Sequence, residues 1–222
     1  MEVTLVDSMG SDLSVVNAAR VSFGKKHEEF DGDKDVGLIK YLASHKHMSP
    51  FGHAFASFHV KAPLFVARQL VKHQYLRWNE ISRRYVDDAP EFYVPDSWRS
   101  RAEDKKQGSS DETIEVIRIQ GFKEQTVNDA CLKHQEHSIE LYKDMLDAGV
   151  APEQARSVLP ASLLTEWYWS GSLDAFADMC SLRLKEDTQY ESRLVAQQID
   201  NKMKELFPVS WGELVKKEEE NA

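Results

Sequence analysis

Cysteine is nearly absent. Cys131 and Cys180 are the only two in 222 residues, far apart and in no C-x-x-C pair. That argues against a disulfide framework or a thiolate zinc cage and points to a reducing compartment, the cytoplasm. Long apolar runs are missing as well: no stretch of 18 apolar residues occurs, so no membrane-spanning helix and no membrane partner is expected. The start, Met1-Glu2-Val3-Thr4-Leu5-Val6-Asp7, lacks the basic flank and apolar block of a signal peptide. Positive charge is in deficit, with 28 Lys and Arg against 37 Asp and Glu and a net charge of −9. A nucleic-acid binder usually carries a basic face, so nucleic acid is not an expected partner. No G-x-S-x-G, P-loop or G-x-G-x-x-G occurs, so any nucleotide cofactor binds without a Rossmann fingerprint.

What is present is an ordinary globular balance, 41% hydrophobic and 29% charged, long enough to bury a core without staples. Glu2–Val6 alternates as an edge strand. Ser11 precedes a short helix carrying Val15, Val16, Ala18 and Ala19. His27–Asp35 reads as a loop, Gly37–Ser44 as a helix and Ser49–Gly52 as a turn. His53–Lys61 is aromatic and β-branched and predicts a strand. Ala62-Pro63 opens a helix with proline at its first position, ending near His73–Tyr75, and Trp78–Tyr85 follows as a loop.

Arg99–Asp111 reads as a surface loop, part of an insertion over 99–118, and Glu112–Ala148 as mostly helical with Gly149 closing it. Pro152–Leu159 is a short helix and Leu163–Trp169 a strand. Ser172 caps a helix to about Leu184, and Thr188–Phe207 is a long helix. The charged tail from 216 is expected to fray. No linker divides the chain. The expected fold is therefore α+β, one domain over 1–222, with a central, mostly antiparallel sheet flanked by long helices.

Eight histidines invite a metal reading. His45 and His47 fall at a helix end and His53 and His59 on or beside a strand, with no H-E-x-x-H or matching carboxylate, so they read as structural or surface residues and no metal site is expected. Neither cysteine has electropositive neighbours that would make it a thiolate nucleophile. The charge deficit reverses in one place. Between Lys61 and Tyr85 six basic residues face a single acid, Glu80. Such an island is either a solvated helix face or a small-anion site. The run Gln69-Leu70-Val71-Lys72-His73-Gln74-Tyr75-Leu76-Arg77-Trp78-Asn79-Glu80-Ile81-Ser82-Arg83-Arg84-Tyr85 adds amides, a histidine and a hydroxyl to those cations. Arginine forks and hydroxyls suit phosphate, and amides suit the donor–acceptor edge of a base or flavin.

That segment resembles the signature of flavin-dependent thymidylate synthases, R-H-R-x7-S followed by x-R-Y. It reads Lys72-His73-Gln74, seven residues, Ser82, then Arg83-Arg84-Tyr85. Further blocks are similar: Asn17–Phe23, Ser49–His53, His59–Pro63, Ala67–Gln69, Pro90–Pro95, Ala155–Pro160 and Ser181–Arg183. The resemblance covers about Met1 to Pro208 apart from the insertion. It implies conversion of dUMP to dTMP, with methylenetetrahydrofolate as carbon donor, FAD as hydride carrier, NADPH as reductant, and a homotetramer with active sites between subunits. Carried over by position, substrate would meet Gln69, Lys72, Glu80, Ser82, Arg83, Arg84, Arg156 and Arg183. The flavin would meet Ser22, His53, Lys72, His73, Gln74, Tyr75, Asn79, Glu80 and Ser172. Arg183 and His73 are the implied catalytic pair. The bland alternatives are a helix-end serine at Ser22, surface helix charges at Arg156 and Arg183, and a turn hydroxyl at Ser82.

The chain departs from the signature at two positions. Lys72 keeps a charge but loses the bidentate fork, and Gln74 loses the charge. Two other activities therefore stand beside the first: a flavin enzyme acting on another pyrimidine nucleotide, such as dCMP, or adding hydroxymethyl, and a non-catalytic flavin- or nucleotide-binding relative.

Overall fold

The alternation in Phe55–Pro63 sets the sheet. Ala56, Phe58, Val60 and Ala62 are buried while Phe55, Ser57, His59 and Lys61 face the other way. A strand's side-chain period of two puts the first set on one face and the second on the opposite face. In the computed structural model, which describes residues 1–85, 89–103, 108–119 and 124–215, this segment is the second of four antiparallel strands.

Strand β1 (Glu2–Met9) leads into helix α1 (Asp12–Arg20), α2 (Gly32–Ser44), β2 (Phe55–Pro63), α3 (Leu64–Leu70) and β3 (Arg77–Glu80). A two-stranded ribbon follows, β4 (Arg99–Arg101) with β5 (Ser109–Thr113), and then a second, β6 (Val116–Arg118) with β7 (Glu124–Thr126). The remaining elements are α4 (Val127–Asp147), α5 (Pro152–Ala155), β8 (Leu164–Ser172), α6 (Leu173–Arg183), α7 (Tyr190–Leu206) and α8 (Pro208–Leu214). The main sheet has the order β1-β2-β8-β3 and is antiparallel throughout, so the expected α+β class holds.

The covered face brings Phe58 opposite Trp169 and Val60 opposite Trp167, against Phe176, Met179, Val195, Ile199 and Met203 from α6 and α7. Trp78 of β3 stacks on Trp167 at 4.3 Å, and Trp169 meets Phe176 edge-on at 5.6 Å. Aromatic pairs in these geometries add about 0.5–1.5 kcal/mol each beyond burial. The open face carries exposed Met9, Phe55 and Tyr168 beside Ser57, His59, Asn79 and Ser170.

Local signals held where they carried a backbone reason. Gly149, at φ +84°, ends α4, with Gly149 N–H donating to Leu146 O and Val150 N–H to Met145 O. Several expectations need correction. Pro63 is the last strand residue and the N-cap of α3, not its first helical residue, and the helix stops at Leu70. Gly32–Asp35 lie inside α2 rather than in a loop, where the buried Asp35 pairs with half-buried Arg20 and His27 from outside the helix. His53 sits in a 3-10 turn before β2.

Trp78–Glu80, expected in a loop, belong to β3, which exists by pairing with β8. Arg99–Asp111 is not a free loop: Arg99 pairs opposite Thr113 and Arg101 opposite Ser109. Glu112–Ala148 is mostly helical, as expected, but its helix runs only from Val127 to Asp147. Thr113, Val116 and Ile117 are β-branched and sit in strands, and the helix starts only after Thr126, whose hydroxyl accepts from Asp129 N–H at 3.0 Å. Residues 104–107 and 120–123 of these segments, and the tail 216–222, lie outside the described residues.

Candidate active site

Two chain segments far apart in sequence meet at the end of α6. Arg183 is its last residue; its Nε–H donates to His73 Nε2 at 2.9 Å and its Nη2 donates to the Gln69 carbonyl at 3.2 Å. Because His73 Nε2 accepts, the neutral ring carries its proton on Nδ1. Burial, and then the Arg183 charge, lower the His73 pKa to about 4, so the ring is neutral at ordinary pH. Burial also lowers the pKa of Arg183, though not by enough to cost a guanidinium its charge near neutral pH.

Gln69 and Arg183 border a cavity of about 680 Å³, lined also by Lys72, Arg99, Ser109, Gln189, Tyr190 and Glu191. That size suits a nucleotide-sized ligand. Arg99 comes from the β4–β5 ribbon. Its Nη2 bonds Glu191 at 2.6 Å, its Nε bonds Ser109 at 2.7 Å, and its guanidinium lies 4.0 Å over the Tyr190 ring. Lys72, Arg99 and Arg183 therefore line the cavity, where Glu191 is the one carboxylate among the described residues; of the basic island between Lys61 and Tyr85, only Lys72 reaches it.

The structure brings together Gln69, Lys72, His73 and Arg183 of the expected residues. The others lie on separate elements and do not line the cavity. Glu80 ends β3, its Oε1 accepting from Thr165 at 2.7 Å and its Oε2 from Trp78 Nε1 at 3.1 Å. Ser82 accepts from Arg84 Nε at 3.2 Å, and Arg84 lies 5.1 Å over the Tyr85 ring. Arg83 lies close enough to Glu91 to help hold that carboxylate low, after the larger effect of the Lys61 hydrogen bond. Arg156 is exposed in a 3-10 turn, donating to the Glu153 carbonyl.

The expected flavin contacts are polar and largely exposed. Ser22 lies in the 3-10 turn after α1, His53 in the turn before β2, and Gln74 after α3. Tyr75 is held at φ +64° and is 82% exposed. Asn79 is on the open sheet face opposite Tyr168, and Ser172 ends β8 at the N-cap position of α6, without a side-chain capping bond.

Arg99, Gln189, Tyr190 and Glu191 escape sequence reading. An acidic residue in a helix's first turn, as Glu191 is in α7, is ordinary, and its burial shows only in the fold. The cysteines are poor nucleophiles. Burial raises the Cys131 pKa, and Cys180 is fully buried with its pKa raised well above the usual range. Among the described residues, no three His, Cys, Asp or Glu converge to hold a metal ion, and no helix is long and apolar enough to cross a membrane.

Residues 4–209 match the family described as thymidylate synthase complementing protein. The chain belongs to this family. It is 39% identical to the flavin-dependent thymidylate synthase of Thermus thermophilus, over 94% of this chain and 73% of that protein. It is 40% identical to the enzyme of the same name from Thermosipho africanus, over 92% and 86%. Among solved structures it is similar to the UMP/dUMP methylase PolB of Streptomyces cacaoi bound with 5-Br dUMP. There the TM-score is 0.79 and the identity 33%, covering 96% of this chain and 93% of that one. With those relatives, the family's fold and enzymatic character apply to this chain.

Proposed function

We propose that this chain methylates C5 of dUMP to give dTMP, with methylenetetrahydrofolate as carbon donor, FAD as hydride carrier and NADPH as reductant. The observation that carries the proposal is Arg183, held by His73 and the Gln69 carbonyl, in a cavity lined also by Gln69, Lys72 and Arg99.

C5 of uracil is a weak nucleophile until negative charge on its carbonyls is stabilised. Arg183 is placed to supply that stabilisation: Nε and Nη2 are committed to His73 and Gln69, which fixes the plane of the fork and leaves Nη1 for the pyrimidine. Neutral His73 orients Arg183 without adding a competing positive charge. Gln69, Lys72, Glu80, Ser82, Arg83, Arg84 and Arg156 are the proposed nucleotide contacts.

A flavin suits the remaining donors. The polar groups of Ser22, His53, Gln74, Asn79 and Ser172, with the Tyr75 ring and Lys72, His73 and Glu80, offer the alternating donors, acceptors and stacking surface an isoalloxazine needs. When bound, flavin supplies the hydride chemistry. Gln74 brings no cation to this set. We also propose assembly as a homotetramer with sites between subunits. Exposed Met9, Phe55 and Tyr168 on the open sheet face, and the spread of the expected contacts around one chain, support it. The setting we propose is cytoplasmic, where Cys131 and Cys180 remain free thiols.

A second substrate reading, UMP, follows from similarity to PolB, a methylase of both nucleotides. The test is to add FAD, NADPH, methylenetetrahydrofolate and either dUMP or UMP to the purified protein and weigh the product. A mass gain of one methylene on dUMP is the expected result. Bound flavin with dUMP unchanged would sink the assignment.

A further inference from the structure

Glu191 is buried, at 7% exposure, and ion-paired with Arg99. It begins a chain of side chains that ends at the nucleotide cavity. Its Oε2 accepts from Gln189 Nε2 at 3.1 Å. Gln189 Oε1 in turn accepts from Gln69 Nε2, and Gln69 Oε1 accepts from the hydroxyl of Ser192 at 3.3 Å.

We propose that Glu191, held by Arg99, is a positioning residue that sets which end of the Gln69 amide faces the cavity. An ionised carboxylate only accepts hydrogen bonds, so Gln189 must turn its NH₂ toward Glu191 and its carbonyl toward Gln69. Gln69 must then turn its own NH₂ toward Gln189, a residue of the cavity wall, and its carbonyl toward Ser192, which is wholly buried. The second N–H of Gln69 is thereby left for a bound anion. In the reverse orientation the free lone pair of the Gln69 carbonyl would meet that anion and oppose it. Arg99 carries this control because its guanidinium pairs with the buried carboxylate and holds it in place beside Gln189. The β4–β5 ribbon, which has the sequence of a surface loop, is thus part of the substrate site.

The inference rests on the proposal that the cavity binds dUMP. Its test separates the two. Glu191→Gln lets residue 191 present either end of an amide, so the KM for dUMP rises about tenfold while kcat falls less than about threefold, the size expected for one lost charge-linked contact. The double variant Glu191→Gln/Gln189→Glu restores an acceptor-only group beside Gln69 Nε2, and KM returns to within about threefold of the parent. Thermal melts of both variants are the control for folding. Exchange of the Gln69 side-chain amide protons, followed by NMR without nucleotide, is slow in the parent, faster in the single variant and slow again in the double. An unchanged KM and unchanged exchange in Glu191→Gln, or a double variant no better than the single in both, overturns the relay. A parent that neither binds nor converts dUMP, but shows the exchange pattern, overturns the functional reading and leaves the relay standing.

Discussion

Arg183 donates to His73 across 110 residues of sequence, Nε to Nε2 at 2.9 Å. One bond therefore couples the end of α6 to the segment after α3, and it exists only while the imidazole is neutral. Replacing Arg183 with Lys keeps the charge but cannot bond His73 and the Gln69 carbonyl with one rigid fork. Turnover of dUMP is expected to fall about a hundredfold or more while the melting temperature stays within a few degrees, as steady-state rates and thermal melts on the same sample will read.

Acid acts through the same pair. His73 titrates at about 4 in the folded chain, against an ordinary value of 6.5. Between those values the unfolded chain binds more protons at this position, so its contribution favours the folded state fully above pH 6.5 and is lost as pH falls toward 4. His73→Asn is expected to flatten the stability-versus-pH curve between pH 6.5 and 4 and leave its slope unchanged above. Denaturant titrations at half-unit pH steps check this.

Gly171 permits a close approach. A Cβ there would collide with Leu76 Cδ2 and lie 3.2 Å from the Tyr75 carbonyl. The leucine tip can move, but the backbone of Tyr75, already at φ +64°, has less room. Gly171→Ala is expected to cost about 1–3 kcal/mol of stability by overpacking and to weaken flavin and nucleotide binding together. Calorimetric melts and equilibrium titration with FAD and dUMP measure both.

Asp35 is fully buried in the first turn of α2. It accepts from Arg20 Nη2 at 2.8 Å and from the Asp31 N–H at 2.8 Å, and pairs with His27 Nδ1 at 3.0 Å. Burial pushes its pKa up, but these hydrogen bonds together outweigh it and leave the carboxyl below its usual value. Asp35→Ala strands the Arg20 charge and is expected to cost about 3–5 kcal/mol in denaturant unfolding. The Asp35 contribution is present above the unfolded carboxylate pKa and lost as pH falls through the lower folded one.

Gln74 stands where the resembled signature has arginine. Gln74→Arg is expected to tighten FAD about tenfold or more, the worth of one charge-assisted contact. Fluorescence titration of flavin against parent and variant decides it. Equal affinity would mean that this position does not face the flavin.

Neighbours along the chain settle part of this molecule. The period of two in Phe55–Pro63 chose the covered face of the sheet, Gly149 ended α4, and the spacing of Lys72, His73, Ser82 and Arg84 pointed to the family. Partners far away in the chain settle the rest. Trp78–Glu80 are polar-flanked and look like a loop, yet become a strand because β8 offers a backbone edge and Trp167 a ring to stack on. Arg99 sits in a segment without apolar pattern, but it is fixed by Glu191, 92 residues away. Asp35 and Glu191 are buried charges whose partners no local rule names. A hydrogen bond or ion pair in the interior is won by whichever group the folded chain brings within reach, and that choice is made in three dimensions.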